Sequence, residues 1–268
     1  MPQPTPLAAT DILVDRQDGM VAVVTINRAV RRNAMTLAMW QELRRVFTEL
    51  GDCPDVRAIV LTGAGGAFCA GADISEFPAV RGTIADGRVY EETVDALHLA
   101  IAASPKPTIA AISGPCFGGG VALALSCDFR IADPTAYFAI PAARLSNVYG
   151  VVETRVLFDA VGLAVAKEVL FTGRRYDANE AFRVGLATHL APSGGSLAAA
   201  VGFAKDMQTS APLTIEGAKI VLEAISRNAV EARAAAIHRI MDAAIASGDY
   251  KEGVAAFAEK RDPVFKGR

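Results

Sequence analysis

Pro107-Thr108-Ile109-Ala110-Ala111-Ile112-Ser113-Gly114-Pro115-Cys116-Phe117-Gly118-Gly119-Gly120-Val121-Ala122-Leu123-Ala124-Leu125-Ser126 is the stretch whose reading decides the fold. It carries no charge and is long enough to cross a bilayer. Its glycines and prolines gather in the middle, however, where a membrane helix would fail. A buried strand over 107–112, a glycine turn and a buried helix over 119–126 fit it better. Glycine there lets the chain turn tightly and brings peptide N–H groups close to a ligand.

The same arrangement occurs once more upstream. Arg57-Ala58-Ile59-Val60-Leu61-Thr62 is strand-like, and Gly63-Ala64-Gly65-Gly66-Ala67-Phe68-Cys69-Ala70-Gly71-Ala72-Asp73-Ile74 follows it. Two such turns can aim two N–H donors at one oxygen. That arrangement stabilises an oxyanion and points to chemistry on a carbonyl.

Outward from these turns, Val21-Ala22-Val23-Val24-Thr25-Ile26 reads as a strand buried on both faces. Thr36 can cap a helix in which Leu37, Trp40, Leu43, Val46, Phe47 and Leu50 recur at three and four. The acidic, poorly patterned segment 76–95 reads as lid-like, with Asp86, Glu91 and Glu92 as solvated charges. A second helix ends near Ser104-Pro105, and a strand follows over 128–132. Strands alternating with helices argue for an α/β class. After about residue 195 the pattern is helical, with Ile237, Ile240, Met241, Ala244 and Ile245 in one stripe. The expected division is a core over 1–195 and a helical region over 196–268.

Further short elements stand in a fixed order with these turns. They are Asn27-Arg28, Arg32-Asn33-Ala34-Met35, Cys127-Asp128-Phe129-Arg130-Ile131-Ala132, Phe138-Ala139-Ile140-Pro141, the run from Glu252 to Arg261, and Phe265-Lys266. With them the chain resembles the crotonase superfamily, the enoyl-CoA hydratase/isomerase family of acyl-CoA enzymes, over roughly residues 12 to 266. The resemblance implies a ββα spiral core with a C-terminal helical region, assembled as homotrimers or dimers of trimers. It implies an acyl-CoA thioester as substrate and no separate cofactor. The oxyanion donors would be the N–H groups of Ala72 and Gly119, the latter opening a helix whose dipole adds positive charge. Arg32 would meet phosphate, with Asn33 and Asp73 in the same binding segments. Ala34, Ala70 and Ile74 would read adenine and pantetheine through their backbone. Phe265 and Lys266 would pack and pair against CoA from the same or an adjacent subunit.

By the same resemblance, the two glutamates of the hydratases fall on Ala122 and Ala142, and a further acid of some relatives falls on Gly150. Alanine cannot hold water or carry a proton. Two nearby groups can: Tyr149, aligned with the tyrosine of methylmalonyl-CoA decarboxylase, and Glu153, near a helix start. Three functions stay open: an acyl-CoA lyase or isomerase with a non-standard proton donor, a malonyl-type acyl-CoA decarboxylase using Tyr149, and an acyl-CoA binding protein without turnover.

Composition narrows the rest. The 27 basic and 29 acidic residues show no cationic run, so nucleic acid and membrane surfaces are not expected partners. At 52% hydrophobic residues the chain can bury a large core. Four scattered cysteines and three distant histidines predict neither a disulfide framework nor a metal site, and a reducing cytoplasm fits. Met1-Pro2-Gln3-Pro4-Thr5-Pro6 does not read as a signal peptide. A dinucleotide fingerprint would need glycine in place of Phe68, and a nucleophile elbow glycine in place of Ala111.

Overall fold

The computed structural model describes Ala8, residues 11–17 and residues 20–267. The amino-terminal stretch Met1 to Pro6 lies outside the described residues. Strand β1 (Ile12–Gln17) pairs antiparallel with β2 (Val21–Ile26), and β2 pairs parallel with β3 (Ala58–Gly63). Between them lies α1 (Leu37–Asp52), whose first turn is closed by the Thr36 hydroxyl accepting from Met39 N. After β3 come the short α2 (Phe77–Val80) and the long α3 (Ile84–Ala102). Strand β4 (Thr108–Ile112) then extends the sheet in parallel.

The glycine-rich stretch forms β5 (Pro115–Phe117) and α4 (Gly119–Ser126). Strand β6 (Phe129–Ala132) returns to the main sheet, and β7 (Tyr137–Ala139) joins β5. Beyond α5 (Val151–Thr172), β8 (Tyr176–Asp177) completes the small sheet in the order β5-β7-β8. After α6 (Ala178–Val184), β9 (His189–Leu190) closes the large one in the order β1-β2-β3-β4-β6-β9. This is an α/β architecture.

Period-two alternation sends successive strand residues to opposite faces. Ala22, Val24, Ile59, Leu61, Ala110 and Ile112 pack on the face covered by Trp40, Leu43, Phe47, Leu97 and Leu123. Val21, Val23, Val60, Ile109, Ala111 and Ile131 pack on the other, beneath Ala200 and Ala204 of α7 (Ser196–Asp206). The helical region therefore begins by supplying a layer of the core. Helices α8 (Pro212–Ser226), α9 (Val230–Ala246) and α10 (Gly248–Glu259) follow. Lys219 of α8 donates to Asp128 Oδ2 at 2.7 Å and to the Lys106 carbonyl at 3.0 Å, fastening this region to the core. Every residue of α9 stays at least partly exposed, and Met241 and Ile245 of the expected stripe are exposed.

One expectation needs correction. The segment read as lid-like up to residue 95 is mostly the regular helix α3, started by a capping box between Thr83 and Asp86. Tyr90, Val94, Leu97 and Ile101 bury one face of it at helical spacing. The polar residues between them hid that stripe. Asp86 is spent on the cap, and Glu92 is exposed.

Candidate active site

The two glycine turns lie directly against each other. Cys69 and Cys116 form a parallel bridge, and Phe117 N donates to the Cys69 carbonyl at 2.9 Å. Gly71 has φ of 89°, and a Cβ there would come within 2.7 Å of the Phe117 carbonyl and 3.2 Å of Gly119 N. A Cβ on Gly120 would stand 2.4 Å from the Cys69 carbonyl. Only glycine permits either approach. On the outer side, Met35 N donates to the Gly71 carbonyl and Asp73 N to the Met35 carbonyl, each at 2.8 Å. That pairing skips the Ala72 N–H. Among the described residues neither Ala72 N nor Gly119 N has a protein acceptor. Both residues line a cavity of about 550 Å³.

A carboxylate stands beside these amides. Glu153, in the first turn of α5, accepts from Gly150 N through Oε2 at 3.3 Å. Its Oε1 lies 3.7 Å from where a Cβ on Gly119 would be. Gly150 also leaves room for a second acid. The Glu153 and Asp95 carboxylate oxygens stand 3.2 and 3.8 Å from where its Cβ would be. Burial raises Glu153 to about 7, which outweighs the Gly150 hydrogen bond; Asp95 and Glu91 push the same way and Arg81 opposes them. Asp95 is raised too, by burial and then by Glu91.

The remaining walls are aromatic and apolar, with Trp40, Phe77, Tyr90, Val94, Ile140 and Leu145 among them. Trp40 Nε1 donates to the Tyr90 hydroxyl at 3.0 Å. Arg81 stacks on Phe77 and Tyr90, and donates to Glu91 at 3.0 Å and Asn147 at 3.3 Å. Glu91, read as a solvated charge, thus lines the cavity. Ala142 lies in the cavity wall, whereas Ala122 is buried inside α4. Tyr149 is also in the wall, but its hydroxyl donates to the Gly118 carbonyl at 3.0 Å. Burial pushes that phenol far above its ordinary value, so it holds its proton. Tyr149 is thereby fixed on the turn beside Gly119, and Glu153 stands in the same cavity with a raised carboxyl.

The residues expected to touch CoA divide. Ala70 and Ile74 line the cavity; Ala70 N is spent on the Arg32 carbonyl at 3.0 Å, and the Arg32 side chain is exposed. The Ala34 carbonyl accepts from Arg28. Asn33 and Asp73 have their side chains engaged within the protein. Asn33 is fully buried, accepts from Arg28 N, and donates to the Ala64 and Ala67 carbonyls, which leaves no amide N–H for a ligand. Asp73 pairs with Arg28 at 2.6 Å and accepts from Ser75; these bonds outweigh burial and hold its carboxyl low. Both residues brace the turn. Phe265 and Lys266 do not reach the cavity of their own chain. Phe265 lies in a separate groove beside Gly253, and Lys266 N donates to Asp249.

Asp95 and His98 escaped the sequence reading. With Glu91 they stand at helical spacing on one side of α3. Among the described residues no group of histidines, cysteines and acids could hold a metal ion, and no helix is long and apolar enough to cross a membrane.

Residues 16–268 match the model of the family described as enoyl-CoA hydratase/isomerase. A Mycobacterium tuberculosis protein named "Probable enoyl-CoA hydratase echA8" is 37% identical, the alignment covering 96% of this chain and 98% of that one. The crystal structure of an enoyl-CoA hydratase from Bacillus anthracis superposes with a TM-score of 0.87 at 31% identity, over 96% and 100% of the two chains. An enoyl-CoA hydratase/isomerase family protein from Hyphomonas neptunium gives 0.91 at 34% identity, over 96% and 98%. With paired glycine turns at the cavity and relatives matched along nearly the whole chain, this protein belongs to the enoyl-CoA hydratase/isomerase family.

Proposed function

We propose that the protein works on acyl-CoA thioesters through an enolate held by the Ala72 and Gly119 N–H groups, with Glu153 carrying the proton. The observation that carries this reading is the position of Glu153 Oε1, 3.7 Å from the Cβ site of Gly119 in a cavity both turns line. As charge develops on the thioester oxygen, two fixed donors stabilise it, and loss of one such donor typically costs about 2.7–4 kcal/mol. In the protonating direction Glu153 gives its proton to the carbon beside the carbonyl and becomes a carboxylate; the reverse step takes the proton back. A carboxyl near 7 is suited to both directions at neutral pH. Asp95 supplies a second carboxylate at the position Gly150 leaves open, where a water can be held for addition to an enoyl group.

This favours lyase or isomerase chemistry on an enoyl-CoA. It disfavours a decarboxylase built on Tyr149, whose proton is committed to Gly118. Contact of Phe265 and Lys266 with CoA requires a second copy of the chain, and the exposed Val254, Phe257 and Met241 of the helical region support assembly. The test is incubation with crotonyl-CoA and, separately, with methylmalonyl-CoA. Consumption of crotonyl-CoA that disappears in Glu153→Gln is expected. Carbon dioxide release that disappears in Tyr149→Phe, or tight binding with no turnover of either thioester, would overturn the proposal.

A further inference from the structure

His98 is buried to 1% exposure on the side of α3 that faces Glu153. Its Nδ1 lies 3.0 Å from Ser126 Oγ, and Ser126 Oγ lies 2.9 Å from the Ala122 carbonyl. The serine has one proton, and giving it to the Ala122 carbonyl leaves its lone pairs to face His98. With that assignment Ser126 accepts from His98, and the imidazole proton sits on Nδ1. Nε2 is left as a bare lone pair, buried and without a hydrogen-bond partner, 3.8 Å from Glu153 Oε1.

That contact is not an ion pair, because burial drives His98 down to about 4 and keeps it neutral. A lone pair beside a carboxylate oxygen repels it. Beside a protonated carboxyl, the same lone pair becomes an acceptor, and closing the 3.8 Å separation by less than about 1 Å completes a hydrogen bond. We propose that His98, fixed as the Nδ1–H tautomer by Ser126, is a positioning residue that holds Glu153 in its protonated form and aims that proton. The proposal deepens the enolate reading and rests on Glu153 being its proton carrier. Other groups also face this carboxyl: Asp95 and Glu91 from α3, Arg81 ahead of it, Tyr90 and Tyr149, and Gly150 N at the start of α5. Asp95 and Glu91 also favour the protonated form, whereas Arg81 and Gly150 N oppose it. His98 differs from the charged groups in being neutral, and from the Tyr90 and Tyr149 hydroxyls in turning an unprotonated ring nitrogen toward the carboxyl.

The experiment is a titration of the full-length protein by carbon-13 NMR of the Glu153 side-chain carboxyl, together with nitrogen-15 spectra of the three histidines. The expected spectrum shows His98 Nε2 unprotonated near neutral pH. The Glu153 titration is expected to fall by about one unit in Ser126→Ala, where the ring can turn its proton toward the carboxylate, and in His98→Leu. Ser126→Thr, which keeps the hydroxyl, should restore the wild-type value. A protonated Nε2 in the wild type, or an unmoved Glu153 titration in both variants, would overturn the proposal. Neither measurement uses substrate. A shifted titration in a protein whose turnover ignores Glu153→Gln would sink the enolate reading while leaving the His98 contact standing.

Discussion

The two walls of the cavity are built by different means. The wall carrying Ala72 and Gly119 is main chain: two turns pressed together where Gly71 and Gly120 leave no room for a side chain. The wall carrying Glu153 and Asp95 is made of side chains from α3 and α5, brought together by packing, with His98 buried behind Glu153. Backbone donors depend on where glycine permits close approach, so they resist change in every other residue type. Side-chain chemistry can be moved. Ala122 and Ala142 carry no acid here, while Glu153 and Asp95 enter the space that Gly150 leaves.

The contrast can be broken from either side, and the largest effect belongs to the side-chain wall. Glu153→Gln should lower kcat by about 10²–10⁴-fold with CoA binding retained, measured as turnover of crotonyl-CoA and as thioester affinity. A change below tenfold would remove Glu153 from the chemistry. Next comes the backbone wall. Gly71→Ala sets a Cβ 2.7 Å from the Phe117 carbonyl at a φ of 89°. It should displace the neighbouring amides and lower kcat by about 10²–10³-fold while circular dichroism still reports a folded chain.

Asp95→Asn is a smaller perturbation. Removing a like charge should shift the Glu153 limb of the kcat profile to lower pH, because Asp95 raises that carboxyl. An upward shift would contradict the arrangement. The same carboxyl leaves a mark on stability. Glu153 is near 7 when folded against an ordinary 4.5, so the unfolded chain releases its proton first. Below pH 4.5 both states hold the proton and there is no penalty. As pH rises through 7 the folded state loses stability, by an amount on the order of 3 kcal/mol at most. Glu153→Gln should therefore melt above the wild type at pH 8 and close to it near pH 4. The smallest effect is expected at the start of α3, where Thr83→Ala removes a cap and should cost about 1 kcal/mol in denaturant unfolding.

The same contrast explains what could be read from the chain alone. Strand β2, the Thr36 cap, helix α4 and the apposition of two turns were legible, because apolar runs and glycines report on backbone directly. Glu153 was visible as one of two candidates. Asp95 and His98 were not, since Asp95 stands among the charges that make the first part of α3 resemble a lid, and His98 sits on its buried face as a core residue would. The structural bonds of Asn33 and Asp73 were hidden for a related reason. A polar residue inside a motif reads as a ligand contact until Arg28 and the carbonyls of Ala64 and Ala67 are seen to take its hydrogen bonds.

The central claim is that Glu153 moves a proton at the carbon beside a thioester carbonyl whose oxygen the two turns hold. Exchange of the α-protons of butyryl-CoA in deuterium oxide reads that step directly and needs no later reaction. The account predicts catalysed exchange that is lost in Glu153→Gln and kept in Tyr149→Phe. Exchange that persists without the Glu153 carboxyl, or that disappears with the Tyr149 hydroxyl alone, would contradict it.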